Sequence, residues 1–173
     1  GTMKTKIIFR LYKLFVSNGF STIRFNFRGV GKSDGVFDDG EGELSDAASV
    51  LDWLQQYNTN SKMCWVAGFS FGAWVAMQLL MRRPEINGFV SVSPPANSRD
   101  FSFLAPCPAS GMIIHGDKDN IASYDTSKIL AEKLQKQKKV SIKFKQVKGA
   151  DHFYENYTDE FINVVDNYRE ITL

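Results

Sequence analysis

At 173 residues the chain has room for one compact domain or two very small ones, and a chain of this size buries about 70% of the surface it exposes when unfolded. A hydrophobic share of 43% against 23% charged residues excludes a disordered chain. The balance of 21 basic and 19 acidic residues, +2 overall, excludes a protein built mainly to grip nucleic acid or an anionic membrane.

In chain order the pattern alternates between helical and strand periods. Ile8, Leu11, Tyr12 and Phe15 recur at helical spacing and stop at Asn18-Gly19, a helix terminator. Residues 22–27 (TIRFNF) read as a strand and lead into a glycine-rich loop through Gly42. Leu44, Ala47, Leu51 and Leu54 mark a second helix. Residues 63–69 (MCWVAGF) are short and apolar, as expected of a strand buried on both faces. A helix carrying Ala73, Ala76, Leu79 and Leu80 follows and ends before Pro84. Residues 88–93 and 111–115 read as two further buried strands, joined by a Pro-punctuated connection that contains Phe101, Phe103 and Leu104. A helix near 125–138, a strand near 141–147 and a helix near 159–170 complete the chain. This alternation predicts parallel βαβ units: one α/β domain over 1–173, an open and mainly parallel sheet with helices on both faces. Ligands in such sheets bind beyond the carboxyl ends of the strands.

At one of those ends, Gly68-Phe69-Ser70-Phe71-Gly72 fits G-x-S-x-G between a buried strand and a helix. A sharp turn there strains the backbone at Ser70, holds its Oγ above the sheet, and lets the Phe71 N–H help stabilise an oxyanion. A serine needs a base. His152 follows the last strand in Gly149-Ala150-Asp151-His152-Phe153, whereas His115 ends an apolar strand as a hydrogen-bonded structural histidine would. A carboxylate must then orient the base. Asp117 and Asp119 in the loop after that strand both qualify, as does Asp151, and the residues alone leave the choice open. The order Ser, Asp, His is that of α/β-hydrolases.

The chain resembles small, cap-poor bacterial α/β-hydrolases similar to dienelactone-hydrolase-like esterases. The matching stretches are RFNFRGVGKSDG (24–35), the helix around 47–54, WVAGFSFGAWVA (65–76), FSFLAPCP (101–108), IIHGDKD (113–119) and KGADHF (148–153). The resemblance implies Ser70 as nucleophile, Asp119 as acid and His152 as base. It implies a serine hydrolase that transfers the acyl group of a small ester, thioester or related carbonyl substrate, with no metal or organic cofactor. Phe71, Phe101, Phe103 and Leu104 would contact the acyl group beneath little or no cap. By the same resemblance the first helix is the family's first, so the strands before it and the loop supplying the second oxyanion donor precede Gly1-Thr2-Met3. The third strand would lie between those ending near Phe27 and Phe69, and its loss predicts closure, strand exchange with another chain in a homo-oligomer, or a strand acquired from a separate N-terminal fragment. The alternative is a hydrolase-like binding scaffold, or an inactive truncated form.

Other features point elsewhere and fail. Gly31-Lys32-Ser33 imitates a phosphate loop, but Asn26 stands where a glycine is required and acidic turns follow instead of a helix. Seven lysines from Lys133 to Lys148 read as a solvated face. Cys64 and Cys107 are expected as free thiols in a cytoplasmic protein, and two histidines are too few for a histidine-rich metal site. No apolar run is long enough for a membrane span, and the first residues lack a signal-peptide pattern.

Overall fold

The structure is a computed structural model that describes residues 2–172; Gly1 and its expected place at the end of a loop lie outside the described residues. Two compact units divide the chain, residues 1–62 and 63–173. In the first, Ile7, Leu11 and Phe15 recur on one face and are buried along helix α1, Lys6–Ser17. The Asn18 and Gly19 N–H groups close the last turn onto Phe15 O and Val16 O, with Gly19 at φ 87°. Helix α2, Glu41–Gln56, buries Leu44, Ala47 and Leu51. At its start the buried Glu43 carboxylate accepts from the N–H groups of Asp38 and Gly40, at 3.0 and 3.1 Å.

Residues 22–27 form no strand, which corrects the sequence expectation. The alternating side chains are there, and Phe25 and Phe27 pack edge to face at 5.2 Å. A strand also needs a neighbour for its ladder, which side-chain alternation does not report. The loop that follows is tight: Gly29 N–H donates to Asp34 O and Ser33 N–H to Val30 O, with Gly29 and Gly31 at positive φ. Arg28 grips Asp46 with two guanidinium donors, at 3.1 and 2.8 Å. The next helix starts only at Glu41, so no helix N-terminus opens at Ser33 for a phosphate.

The second unit is a four-stranded parallel sheet in the order β1-β2-β3-β4. Its elements are β1 (Trp65–Phe69), α3 (Phe71–Arg82), β2 (Gly88–Val92), β3 (Gly111–Gly116), α4 (Tyr124–Gln135), β4 (Ile142–Val147) and α5 (Thr158–Thr172). Register fixes which side chains share a face. Gly68, Ser91, Ile113 and Phe144 are successive partners across the sheet. A Cβ on Gly68 would point into α3 at Gly72 and Ala73, and Phe144 packs at a tilt against Tyr124 of α4. Helices α3 and α4 therefore cover that face. Trp65, of opposite parity, packs on Tyr168, which puts α5 on the other face.

Central strands β2 and β3 are buried at every position, as their mainly apolar runs, broken only by Ser91 and His115, lead one to expect. Met112, Ile113 and Ile114 are at most 1% exposed, and each contributes about 1.5–3 kcal/mol by burial. Strand β1 differs from its expected two-sided burial: most of its residues are half-buried and Ala67 is exposed. Its composition is that of a central strand, but its position is an edge of this sheet. All seven lysines from Lys133 to Lys148 are exposed, as a solvated face should be. Both cysteines are free thiols, and burial pushes each above its ordinary range. Among the described residues no helix is long and apolar enough to cross a membrane.

Candidate active site

Strand β1 passes into α3 through a single residue, Ser70, at φ 55° and ψ −119°. That conformation is strained for any residue with a Cβ, at roughly 1–3 kcal/mol. Ser70 N–H donates to Val92 O at 2.8 Å, tying the turn to the end of β2, and Ser70 O accepts from Ala73 N–H to start the helix. The turn is sharp because Gly68 lets α3 approach: a Cβ there would sit 2.3 Å from Gly72 O and 2.7 Å from Ala73 Cα. Gly68→Ala is therefore expected to lower stability by about 3 kcal/mol and to displace Ser70. Denaturant titration and turnover of the same preparation check this; unchanged values of both would disprove it.

His152 meets this serine from the loop after β4. Its Nε2 lies 3.0 Å from Ser70 Oγ, and its Nδ1 lies 2.7 Å from Asp119 Oδ2. His152 is 4% exposed, and its ring packs beside Phe69 at 5.0 Å and Phe153 at 5.1 Å, which touch each other at 5.6 Å. The backbone around it is pinned by a buried pair of hydroxyls. Ser93, at φ 50°, has its Oγ 3.1 Å from Tyr154 Oη and 3.5 Å from His152 O, and Tyr154 donates its own hydroxyl to Ile114 O. Burial pushes the Tyr154 phenol above its ordinary range and so keeps it a neutral donor.

Asp119 is buried on the loop after β3. Its Oδ1 accepts from Ile121 and Ala122 N–H, both at 2.8 Å, and its Oδ2 accepts from His152 and from His115 Nε2 at 3.0 Å. Burial pushes its carboxyl up, but the donors of His115, His152, Ile121 and Ala122 outweigh it and hold the group well below the usual carboxylate range. Asp117 plays another part: it accepts from Gln146 Nε2 and Gly149 N–H, lacing the β3 loop to the turn after β4. Asp151 accepts from Glu155 N–H within its own loop.

Of the residues singled out in the sequence, Ser70, His152 and Asp119 thus meet in one hydrogen-bonded row. Phe71 opens α3, and the Arg99 guanidinium lies over its ring at 5.3 Å and over Trp74 at 4.6 Å. Phe101 and Leu104 are core residues, 5% and 2% exposed, while half-buried Phe103 stacks on Phe101 at 6.0 Å. Reasoning from sequence misses Phe69 and Phe153 beside the His152 ring and the reach of His115 to Asp119. The first two are simply the neighbours of Ser70 and His152 in the chain. The spacing of His115 and Asp119 by four, either side of one turn, is the available signal for the third. A cleft of about 300 Å3 lined by Asn97, Asp117, Asp119, Ser123, Tyr124 and Asp125 opens on the carboxylate loop.

A family model for X-Pro dipeptidyl-peptidase (S15 family) matches residues 2–166. The chain belongs to this family. A putative α/β hydrolase from Agrobacterium tumefaciens has the same fold as the S15-family chain, with a TM-score of 0.96 and 54% identity over 98% of this chain and 78% of that one. An α/β serine hydrolase without lid from Xanthomonas campestris superposes with a TM-score of 0.90 at 29% identity, over 100% and 76%. An uncharacterized protein of Rickettsia prowazekii (strain Madrid E) is 51% identical over 172 residues, 97% of this chain and 72% of that protein. The S15-family chain is accordingly a hydrolase of the α/β serine hydrolase fold. The resemblance carried by its elbow and loop motifs points to the same class.

Proposed function

We propose that the chain hydrolyses a small ester, thioester or related carbonyl substrate by acyl transfer, with Ser70 as nucleophile, His152 as base and Asp119 as the group that orients it. The observation that carries this reading is the unbroken row of hydrogen bonds from Ser70 Oγ through both nitrogens of His152 to Asp119. Ser70 Oγ attacks the carbonyl carbon while its proton passes to His152 Nε2. The Phe71 N–H, in the first turn of α3, stabilises the oxyanion. Collapse of that intermediate expels the alcohol or thiol, which leaves with the proton from His152. Water, deprotonated in turn by His152, attacks the acyl-serine and releases the acid and free Ser70. Asp119 stays ionised throughout and stabilises the imidazolium. Phe71 and Phe103 would contact the acyl group, with Phe101 and Leu104 packed behind. The reading places the chain in a cytoplasm as a single catalytic domain.

The test is covalent. A fluorophosphonate probe should add to the chain, with the adduct mapped by peptide mass spectrometry to Ser70. An adduct elsewhere, or none under conditions where a known serine hydrolase reacts, would sink the assignment and favour a non-catalytic scaffold. Turnover of short acyl esters beside Xaa-Pro amides then separates esterase from peptidase use of the site.

A further inference from the structure

The two histidines of this chain converge on one carboxylate oxygen, although the proposed reaction uses only His152. His115 is 0% exposed at the end of β3. Its Nε2 faces two acceptors, Asp119 Oδ2 at 3.0 Å and Ala122 O at 2.9 Å, so that nitrogen carries a proton. Its Nδ1 lies 2.8 Å from Ser127 Oγ of α4, and Ser127 also reaches Pro94 O at 3.2 Å. The ring is thus braced from both ends, by α4 and by the loop that carries Asp119.

Asp119 needs this brace. The two backbone N–H groups serve only Oδ1, so without His115 the buried Oδ2 would have His152 as its one donor. His152 is the group being positioned, so the donor that holds Oδ2 independently of it is His115. A buried carboxylate also needs donors in place of water. We propose that His115 is a positioning residue of the triad: its Nε2–H fixes Asp119 Oδ2 so that the carboxylate holds His152 in the Nδ1–H tautomer with Nε2 open to Ser70. His115 touches no substrate and exchanges no proton in the reaction. The proposal rests on the roles assigned to Ser70, His152 and Asp119.

Two amide substitutions test it, because they place a donor at opposite ends of the ring. In His115→Gln the side-chain N–H2 can occupy the place of Nε2 and reach Asp119. In His115→Asn it can occupy only the place of Nδ1 and reaches Ser127. His115→Gln should keep wild-type kcat within about twofold, whereas His115→Asn should lose about 10- to 100-fold in kcat with KM little changed. Active-site titration with the probe corrects for unfolded protein. In either variant, made without a histidine tag, His152 is the sole histidine, so its 15N resonances read its tautomer directly once the ring is neutral. The Nδ1–H form should persist in His115→Gln and give way to a mixture in His115→Asn. Equal kcat in the two variants, or an unchanged tautomer in His115→Asn, overturns the proposal. Ser127→Ala, which loosens His115 without touching Asp119, should move both readouts in the same direction, and its failure to move either overturns it as well. A wild-type chain with no label and no turnover sinks the hydrolase reading instead, while the 15N spectra still decide the role of His115.

Discussion

Ser70→Ala is expected to lower kcat for a short acyl ester by about 10⁵- to 10⁶-fold and to abolish probe labelling. The size follows from what is removed. Without Oγ the acyl-enzyme cannot form, and water must attack directly in a site arranged around a side-chain oxygen. What survives is the oxyanion donor and substrate binding, which together give about 10³–10⁴ over water in other triad enzymes. The fold should be indifferent to the change. Alanine keeps the Cβ already accommodated at φ 55°, and the Ser70 N–H bond to Val92 O belongs to the backbone. Equal melting temperatures with lost turnover confirm that chemistry alone was removed; turnover within tenfold of wild type would disprove the role of Ser70.

Asp119→Asn is expected to lower kcat by about 10⁴-fold. Here the geometry predicts more than the loss of a charge. Each oxygen of Asp119 accepts two hydrogen bonds, from Ile121 and Ala122 N–H on one side and from His152 and His115 on the other. An asparagine has one oxygen. Whichever way it turns, its N–H2 faces a pair of donors, and the least costly escape is for His152 to give up its Nδ1 proton. The proton then sits on Nε2, pointing at Ser70, and the base is lost. The same substitution should flatten the acid side of the stability profile. Because the folded carboxyl is held below its unfolded value of about 3.9, its contribution is present above that pH and is lost as pH falls towards the folded value. Denaturant midpoints between about pH 5 and 2 should therefore fall less steeply in Asp119→Asn than in wild type. A kcat within tenfold of wild type would overturn the first expectation, and an equally steep acid limb the second.

Much of this fold and site is legible in the amino-acid sequence, and the reason differs from element to element. Strands β2 and β3 are readable because a strand buried on both faces is apolar at most positions, here at all but Ser91 and His115. The elbow is readable because a strand, two glycines around a serine and a helix leave the backbone few ways to pass. The stretch 22–27 misleads because alternation describes faces, whereas a strand exists only with a hydrogen-bonded neighbour. Half-burial of β1 is hidden likewise, since an edge position depends on strand order rather than composition. At the site, the choice between Asp117 and Asp119 lies beyond the residues themselves. Both sit in one loop, and only the fold shows Asp117 turned to Gln146 and Gly149 and Asp119 turned to the histidines. His115 reads correctly as a hydrogen-bonded histidine, but an apolar strand ending does not say which partners it takes.

Ser70 and His152 stand 82 residues apart, and within the sheet they are connected through three successive parallel ladders. A slip of one residue in any ladder would move one partner by about 3.3 Å along the strands, more than the whole length of their hydrogen bond. Such a slip would leave helix content almost untouched. Reactivity at Ser70 is therefore a vernier on the sheet: it reports whether every strand has found its correct neighbour and offset, a property to which circular dichroism is nearly blind.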